Sequence, residues 1–289
     1  MWELLGYRLA QSISLFFPGV SYFIADCLAD AHFIFSHRDR NSVIQNLRTI
    51  YGPVGKRELR REARKVFHQF GRYLVEFLRF PVLDRQAFSK GVEVEGLEHL
   101  ESALKRGKGV IGVSAHYGNW ELGAAGLSLL GYPIHAVVLA HSNPAVNRFF
   151  IQMRVQKRIR VIPIGQPVWE TLDCLSKNEI LLMAGDRDFS ANGVEIFFFN
   201  RPSHFPKGPA ALSLRSGSPV VIAFLVREED GRLRLFFEPP IFPKEDGSFR
   251  ENLLSMTQEI AHRLEQQIRK DPSQWVIFEP FWDKQQGNR

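Results

Sequence analysis

The chain has 289 residues, 45% of them hydrophobic and 12% aromatic, an ordinary globular composition with ample apolar material for a large core. Lys and Arg outnumber Asp and Glu by 37 to 31, and the resulting formal charge of +6 points to an anionic partner: nucleic acid, acidic lipid or an acidic carrier protein. No nucleic-acid-binding motif accompanies that charge, and neither a His-Glu-x-x-His nor a paired Cys-x-x-Cys metal spacing occurs.

Residues 2–35 are rich in Leu, Ile and Phe, but Pro18-Gly19 interrupts them and Gln11, Ser12, Ser14, Asp26 and Asp30 are interspersed. No window supplies the roughly 18 nearly uncharged apolar residues of a spanning helix. Trp2-Glu3 with a single early Arg8 is a poor start for a signal peptide. The pattern predicts one or two amphipathic helices lying in a membrane interface, the alternative being a helical hairpin that covers the core. A basic stretch follows: Arg38, Arg40, Arg48, Lys56, Arg57, Arg60, Arg61, Arg64 and Lys65. Beside an interfacial helix, such residues are each attracted to anionic headgroups by about 1 kcal/mol. Glu58 and Glu62 at helical spacing offer the plainer reading of a solvated helix face. From Arg57 to Phe80 apolar residues recur at helical spacing, and Pro81 ends the run.

Past Gly91 the pattern changes to short apolar runs alternating with helical stretches. Strands are predicted at Gly109–Val113, Ile134–Leu139, Val161–Pro163, Ile180–Met183, Ile196–Phe199, Val220–Val226 and Leu233–Glu238. Helices are predicted at Trp120–Leu130, Pro144–Arg158, Pro167–Ser176, Gly208–Ser216 and Glu251–Lys270, the last stopped by Asp271-Pro272. This alternation argues for an α/β layer with a mostly parallel sheet flanked by helices. Residues 1–90 then form a helical, membrane-facing N-terminal region on an α/β core at 91–289, one structural domain overall. Cys27 and Cys174 are far apart and match no redox spacing; they read as two buried free thiols, with a disulfide as the alternative.

The most informative stretch is Ser114-Ala115-His116-Tyr117-Gly118-Asn119-Trp120-Glu121. An apolar strand ends, a short turn carries His116, and a helix begins with Asn119 as its N-cap and Glu121 in its first turn. Ligands of α/β sheets bind at the carboxyl ends of strands, where this histidine lies. A neutral imidazole there suits removal of a hydroxyl proton as the oxygen attacks an activated carbonyl, a contribution on the order of 10²- to 10⁴-fold. Ser114 lacks the G-x-S-x-G elbow of a nucleophile. A lone His-x-x-x-x-Glu is also compatible with a structural loop histidine.

The surroundings decide between these. His116-Tyr117-Gly118-Asn119-Trp120-Glu121 resembles the H-x-G-N-W-[DE] signature of the lipid A biosynthesis acyltransferase family, which includes late lauroyl and myristoyl transferases and phosphatidylinositol mannoside acyltransferases. Asn46-Leu47-Arg48, Phe70–Phe77, Asp186-Arg187-Asp188, Phe198-Phe199, Gly208–Leu212 and Gly217–Val220 resemble its other blocks, in order over nearly the whole chain. The resemblance implies a glycerolipid-acyltransferase-like sheet and a fatty acyl transfer from an acyl thioester, carried by acyl carrier protein or coenzyme A, to a glycolipid hydroxyl. It implies His116 as base and either Glu195 or Glu121 as the carboxylate that orients it, with Glu195 favoured for that pairing and Glu121 for organising the loop through Arg154. Asn119, Arg154, Asp186, Arg187, Arg201 and Lys207 are expected at the substrate, the last three also reading as ordinary surface charges. Asp186-Arg187-Asp188 with Gly193-Val194-Glu195 stands nearer the mannoside acyltransferases, whereas Glu279-Pro280-Phe281-Trp282 departs from the family's usual ending.

Phe197, Phe198 and Phe199 read as core or as the lining of an acyl tunnel, and His135, His141 and His204 have no telling acidic neighbour. No cofactor or metal is implied. The expected location is the cytoplasmic face of a bacterial inner membrane. Thioester hydrolysis and non-catalytic lipid binding are the competing functions.

Overall fold

A computed structural model describes residues 2–189, 192–244 and 246–282. Four helices open the chain: α1 (Trp2–Phe16), α2 (Pro18–Phe35), α3 (His37–Tyr51) and α4 (Lys56–Leu78). The α/β part follows as α5 (Arg85–Gly91), β1 (Val92–Glu95), α6 (Leu97–Leu104), β2 (Val110–Ser114), α7 (Trp120–Leu130), β3 (Ile134–Val138), α8 (Pro144–Val155), β4 (Ile159–Pro163), α9 (Val168–Ser176) and β5 (Ile180–Ala184). A ribbon of β6 (Val194–Phe198) and β7 (Arg201–Phe205) leads to α10 (Gly208–Ser216), β8 (Val220–Arg227), β9 (Leu233–Phe237) and α11 (Phe249–Lys270).

The seven-stranded sheet has the order β1-β9-β8-β2-β5-β3-β4, and every neighbouring pair is parallel except β8 with β9. Central β2 reads Val-Ile-Gly-Val-Ser with four consecutive buried residues, as a strand covered on both faces requires. Edge strand β1 alternates Val-Glu-Val-Glu and buries little beyond Val92. The segment predicted as a strand at Ile196–Phe199 lies outside this sheet. Its chain turns at Phe199 and Asn200, both at positive φ, and returns as β7 in an antiparallel hairpin. Two consecutive positive φ values are the signature of a two-residue hairpin turn, which usually takes Asn-Gly. Here Phe199 adopts it because its N–H donates to Glu265 Oε2 at 2.6 Å and its ring is buried beneath the Arg269 guanidinium.

The N-terminal helices share the main core. Phe33 of α2, Leu47 of α3 and Phe67 of α4 pack in one continuous apolar cluster with Val113, Phe224, Leu264 and Trp275. Helix α11 begins at Ser248, whose hydroxyl and Glu251 form a reciprocal capping box.

Helix α1 packs Leu4, Tyr7 and Ala10 against the core and turns a second apolar face outward. Its buried residues are Gln11 and Ser14, while Trp2, Leu5, Leu9 and Phe16 are exposed. Gln11 donates to Met153 Sδ at 3.1 Å, and the Ser14 carbonyl accepts from Arg79. Phe17, Val20, Phe23, Leu28, Ile34 and Phe35 continue the exposed apolar surface along α2. No helix among the described residues is long and apolar enough to cross a membrane.

The basic stretch divides. Arg40 is buried and donates to the carbonyls of Phe33 and Ile34, closing the end of α2, and Arg64 pairs with Asp30 through two hydrogen bonds of 2.5 and 2.6 Å. Arg38, Arg48, Lys56, Arg57 and Arg60 are exposed. Both cysteines are free thiols, and Cys27 is exposed, so only Cys174 fits the expectation of burial.

Candidate active site

The turn after β2 is fixed by what lies on either side of it. Gly118 sits at φ +62°, and a β-carbon there would meet the Leu225 carbonyl oxygen at 2.0 Å, so only glycine lets the chain pass β8 so closely. On one flank the Asn119 N–H donates to Leu225 O at 2.8 Å. On the other, the segment after α11 runs antiparallel to the turn: the Gly118 N–H donates to Gln274 O at 2.9 Å and the Val276 N–H to His116 O at 2.8 Å.

His116 projects from this clamped turn with 19% of its side chain exposed. Its Nδ1–H donates to Asp186 Oδ1 at 2.7 Å, its main-chain N–H to Asp186 Oδ2 at 2.9 Å, and the Trp275 indole N–H to the same Oδ2 at 3.0 Å. Asp186 is fully buried. Burial by itself pushes its carboxyl up, but His116 and the three donors outweigh this and hold it below the ordinary carboxylate value. An ionised acceptor on Nδ1 keeps the proton there and leaves the Nε2 lone pair for an incoming hydroxyl. Trp120 meets the ring edge-on at 5.1 Å and itself stacks on Tyr73 at 4.5 Å, so the imidazole has little room to rotate.

The carboxylate on Nδ1 is thus Asp186, where the sequence pointed to Glu195 or Glu121. Glu195 lies exposed in β6 opposite His204. Glu121 faces Arg154, whose Nε donates at 3.0 and 3.1 Å and Nη2 at 2.5 Å, with both side chains about nine-tenths buried. Burial lowers the Arg154 guanidinium, but Glu121 more than compensates and holds it above its ordinary value. Both residues are therefore occupied in a structural pair, and Arg154 is not presented to a substrate.

Two further substrate candidates, Asp186 and Asn119, are buried. Asp186 lies beneath the histidine, with no surface to offer a substrate. Asn119 is the N-cap of α7, accepting the Leu122 N–H at 2.9 Å, and its amide donates to Glu76 Oε2 at 2.5 Å in a buried contact. Arg187, partly exposed, pairs with Glu279 at 2.7 Å and lies over the Phe189 ring. Arg201 and Lys207 are exposed, in β7 and just before α10. Phe198 and Phe199 belong to the core aromatic cluster around Trp275, Phe281 and Trp282, whereas Phe197 is exposed.

Several long-range contacts around the site could not be read from the sequence. Trp275 reaches Asp186 across 89 positions, and Glu76 receives both Asn119 and Arg227. Asn46 donates to the carbonyls of Ile277 and Glu279 and accepts the Phe281 N–H. Asp186 is marked in the sequence by the Asp186-Arg187-Asp188 block, but as a substrate residue and not as the histidine's partner. At the opposite, amino-terminal end of the strands, His135 is paired with Glu179 at 2.5 Å, close to Cys174.

The chain thus sets a histidine–carboxylate pair at the carboxyl end of a mostly parallel sheet, with no serine elbow beside it. The chain belongs to the bacterial lipid A biosynthesis acyltransferase family, whose model matches residues 2–284. A phosphatidylinositol mannoside acyltransferase of Mycolicibacterium smegmatis (strain ATCC 700084 / mc(2)155) is 27% identical over 217 residues, covering 74% of this chain and 69% of the relative. Its counterpart in Mycobacterium tuberculosis (strain ATCC 25618 / H37Rv) is 28% identical over 221 residues, covering 74% and 67%. A lipid A biosynthesis palmitoleoyltransferase of Escherichia coli (strain K12) is 26% identical over 193 residues, covering 65% and 60%. The protein is an acyltransferase of lipid biosynthesis.

Proposed function

We propose that this acyltransferase moves a fatty acyl group from a thioester, on acyl carrier protein or coenzyme A, to a sugar hydroxyl of a glycolipid, with His116 as general base. The observation that carries this reading is the single free ring nitrogen of His116, left by the Asp186 hydrogen bond at 2.7 Å. In the reaction the acceptor oxygen attacks the thioester carbonyl carbon while Nε2 takes its proton. The tetrahedral intermediate then collapses, the C–S bond breaks, and the imidazolium returns the proton to the departing thiolate. Asp186 stabilises the imidazolium without itself becoming protonated. Since the thioester is already activated, no protein nucleophile is needed.

A lipid acceptor places the reaction at a membrane surface, and the outward apolar face of α1 and α2 supports peripheral docking there. Exposed Arg38, Arg48, Lys56, Arg57 and Arg60 suit an anionic leaflet, the cytoplasmic face of a bacterial inner membrane in this reading. Exposed Arg201 and Lys207 suit phosphate groups of the donor. The mannoside acyltransferase relatives, matched over a longer stretch than the lipid A enzyme, favour a sugar-bearing phospholipid as acceptor.

The test is transfer of labelled acyl groups from acyl carrier protein and from acyl-coenzyme A to a panel of glycolipids, by wild type, His116→Ala and Asp186→Asn. The expected result is a labelled acceptor with wild type and a loss of about 10²- to 10⁴-fold in His116→Ala. Equal activity of the folded His116→Ala protein refutes the base assignment. Release of free fatty acid with no labelled acceptor favours a thioesterase instead.

A further inference from the structure

The histidine–carboxylate pair accounts for two of the three donors on Asp186. The third comes from a part of the chain that the reaction does not otherwise involve. Trp275 is 2% exposed and belongs to the short segment that leaves α11, passes the His116 turn and is held to α3 by Asn46. We propose that Trp275 is a positioning residue for acyl transfer: its indole N–H, with the main-chain N–H of His116, saturates Asp186 Oδ2 and so presents Oδ1 to the imidazole alone. This inference rests on the reading of His116 and Asp186 given above.

A buried carboxylate has two oxygens able to accept several hydrogen bonds, and an oxygen left without donors inside a protein is costly. Without the indole, Oδ2 would keep one donor, and the carboxylate would be free to rock about its Cβ–Cγ bond. With it, three N–H groups from three directions fix the plane of the group. The indole is itself held rigidly. Its ring packs edge-on against Phe281 at 5.1 Å and near Trp282 at 6.0 Å. Its own residue forms a bridge to Tyr117, and the residues before and after it hydrogen-bond Gly118 and His116. One segment therefore holds both the backbone of the base and the carboxylate behind it, which keeps the distance between them constant.

The indole N–H also limits how basic the carboxylate is. A carboxylate with fewer donors attracts the imidazolium proton more strongly, so its removal should keep His116 protonated to higher pH. This is an effect that packing alone would not produce.

The experiment compares Trp275→Phe with Trp282→Phe, which makes the same chemical change in the same aromatic cluster away from Asp186. For each, kcat, KM and the pH dependence of kcat/KM are measured on the full chain with the thioester donor and acceptor that support wild-type transfer. Trp275→Phe is expected to lower kcat about 10- to 100-fold with KM within about twofold, and to move the acidic limb upward by about half a pH unit or more. Trp282→Phe is expected to leave that limb in place.

An unchanged kcat and acidic limb in Trp275→Phe overturns the proposal, as does a parallel fall in both variants without a shift of the limb. Should Trp275→Phe not fold, ¹⁵N-indole spectra of wild type and Asp186→Asn give the same decision. Of the five tryptophans, the Trp275 indole N–H must move and exchange faster in Asp186→Asn, and its indifference overturns the proposal. Failure of the underlying acyl-transfer reading is recognised separately, by activity retained in His116→Ala and Asp186→Asn.

Discussion

The side chain of Asn46 accepts the main-chain N–H of Phe281 at 2.9 Å across 235 positions of sequence, and its amide returns hydrogen bonds to the carbonyls of Ile277 and Glu279. A helix near the start of the chain thereby fastens the last described segment, which in turn carries Trp275 and Val276 to the turn that bears His116. The Asn-Leu motif of α3 thus acts on the site at a distance, by holding the segment that holds the histidine.

Replacing Asn46 with Ala leaves several main-chain groups of a buried segment without partners, at a cost of about 2–4 kcal/mol. Urea denaturation should show a lower midpoint with an unchanged slope. A midpoint equal to wild type would mean that the segment is held by its aromatic side chains alone.

Glu121 and Arg154 give a prediction of a different kind, since the pair is buried and touches neither ring nitrogen of His116. Glu121→Gln or Arg154→Met alone strands a buried charge and should destabilise by about 3–5 kcal/mol. The double replacement should cost clearly less than the sum of the two. A double-mutant cycle by denaturation decides this, and additive losses would refute direct coupling.

The acid stability of the protein should carry the mark of Asp186. Its carboxyl is held below the ordinary value of 3.8 in the folded state, so folding favours its ionised form. The stability this contributes is fully present above pH 3.8 and is lost as pH falls from there through the lower, folded value. Unfolding free energy measured against pH should therefore fall less steeply below about pH 4 in Asp186→Asn than in wild type. Parallel curves would show that Asp186 titrates alike in both states.

Membrane docking is tested on Phe16, Phe17 and Phe23, all more than half exposed. Changing the three to Ser should weaken binding to vesicles of anionic phospholipid on the order of 100-fold, at about 1 kcal/mol for each partly inserted ring. Flotation assays check this, with raised salt weakening the remaining binding. Unaltered flotation of the triple variant would remove α1 and α2 from the docking surface.

Much of this molecule was legible locally. Asn119 as an N-cap, the stop at Asp271-Pro272 and the apolar runs of β2, β5 and β8 follow from neighbours within a few residues, because helix caps, proline and strand burial act over that range. Local reading failed where two conformations share one pattern: Phe199-Asn200 turns a hairpin with no glycine to announce it, and the Val-Glu-Val-Glu of β1 is too short and too polar to stand out. By itself, then, the sequence determined the α/β alternation, the family and the histidine at a strand end. It could not determine that histidine's partner. Asp186 follows β5, and only the pairing of β2 with β5, Ser114 beside Ala184, sets the ends of the two strands side by side. Strand order depends on the packing of the whole core, and the same holds for Trp275 and Asn46, whose contacts close only when the segment after α11 meets β5 and α3 beside the His116 turn.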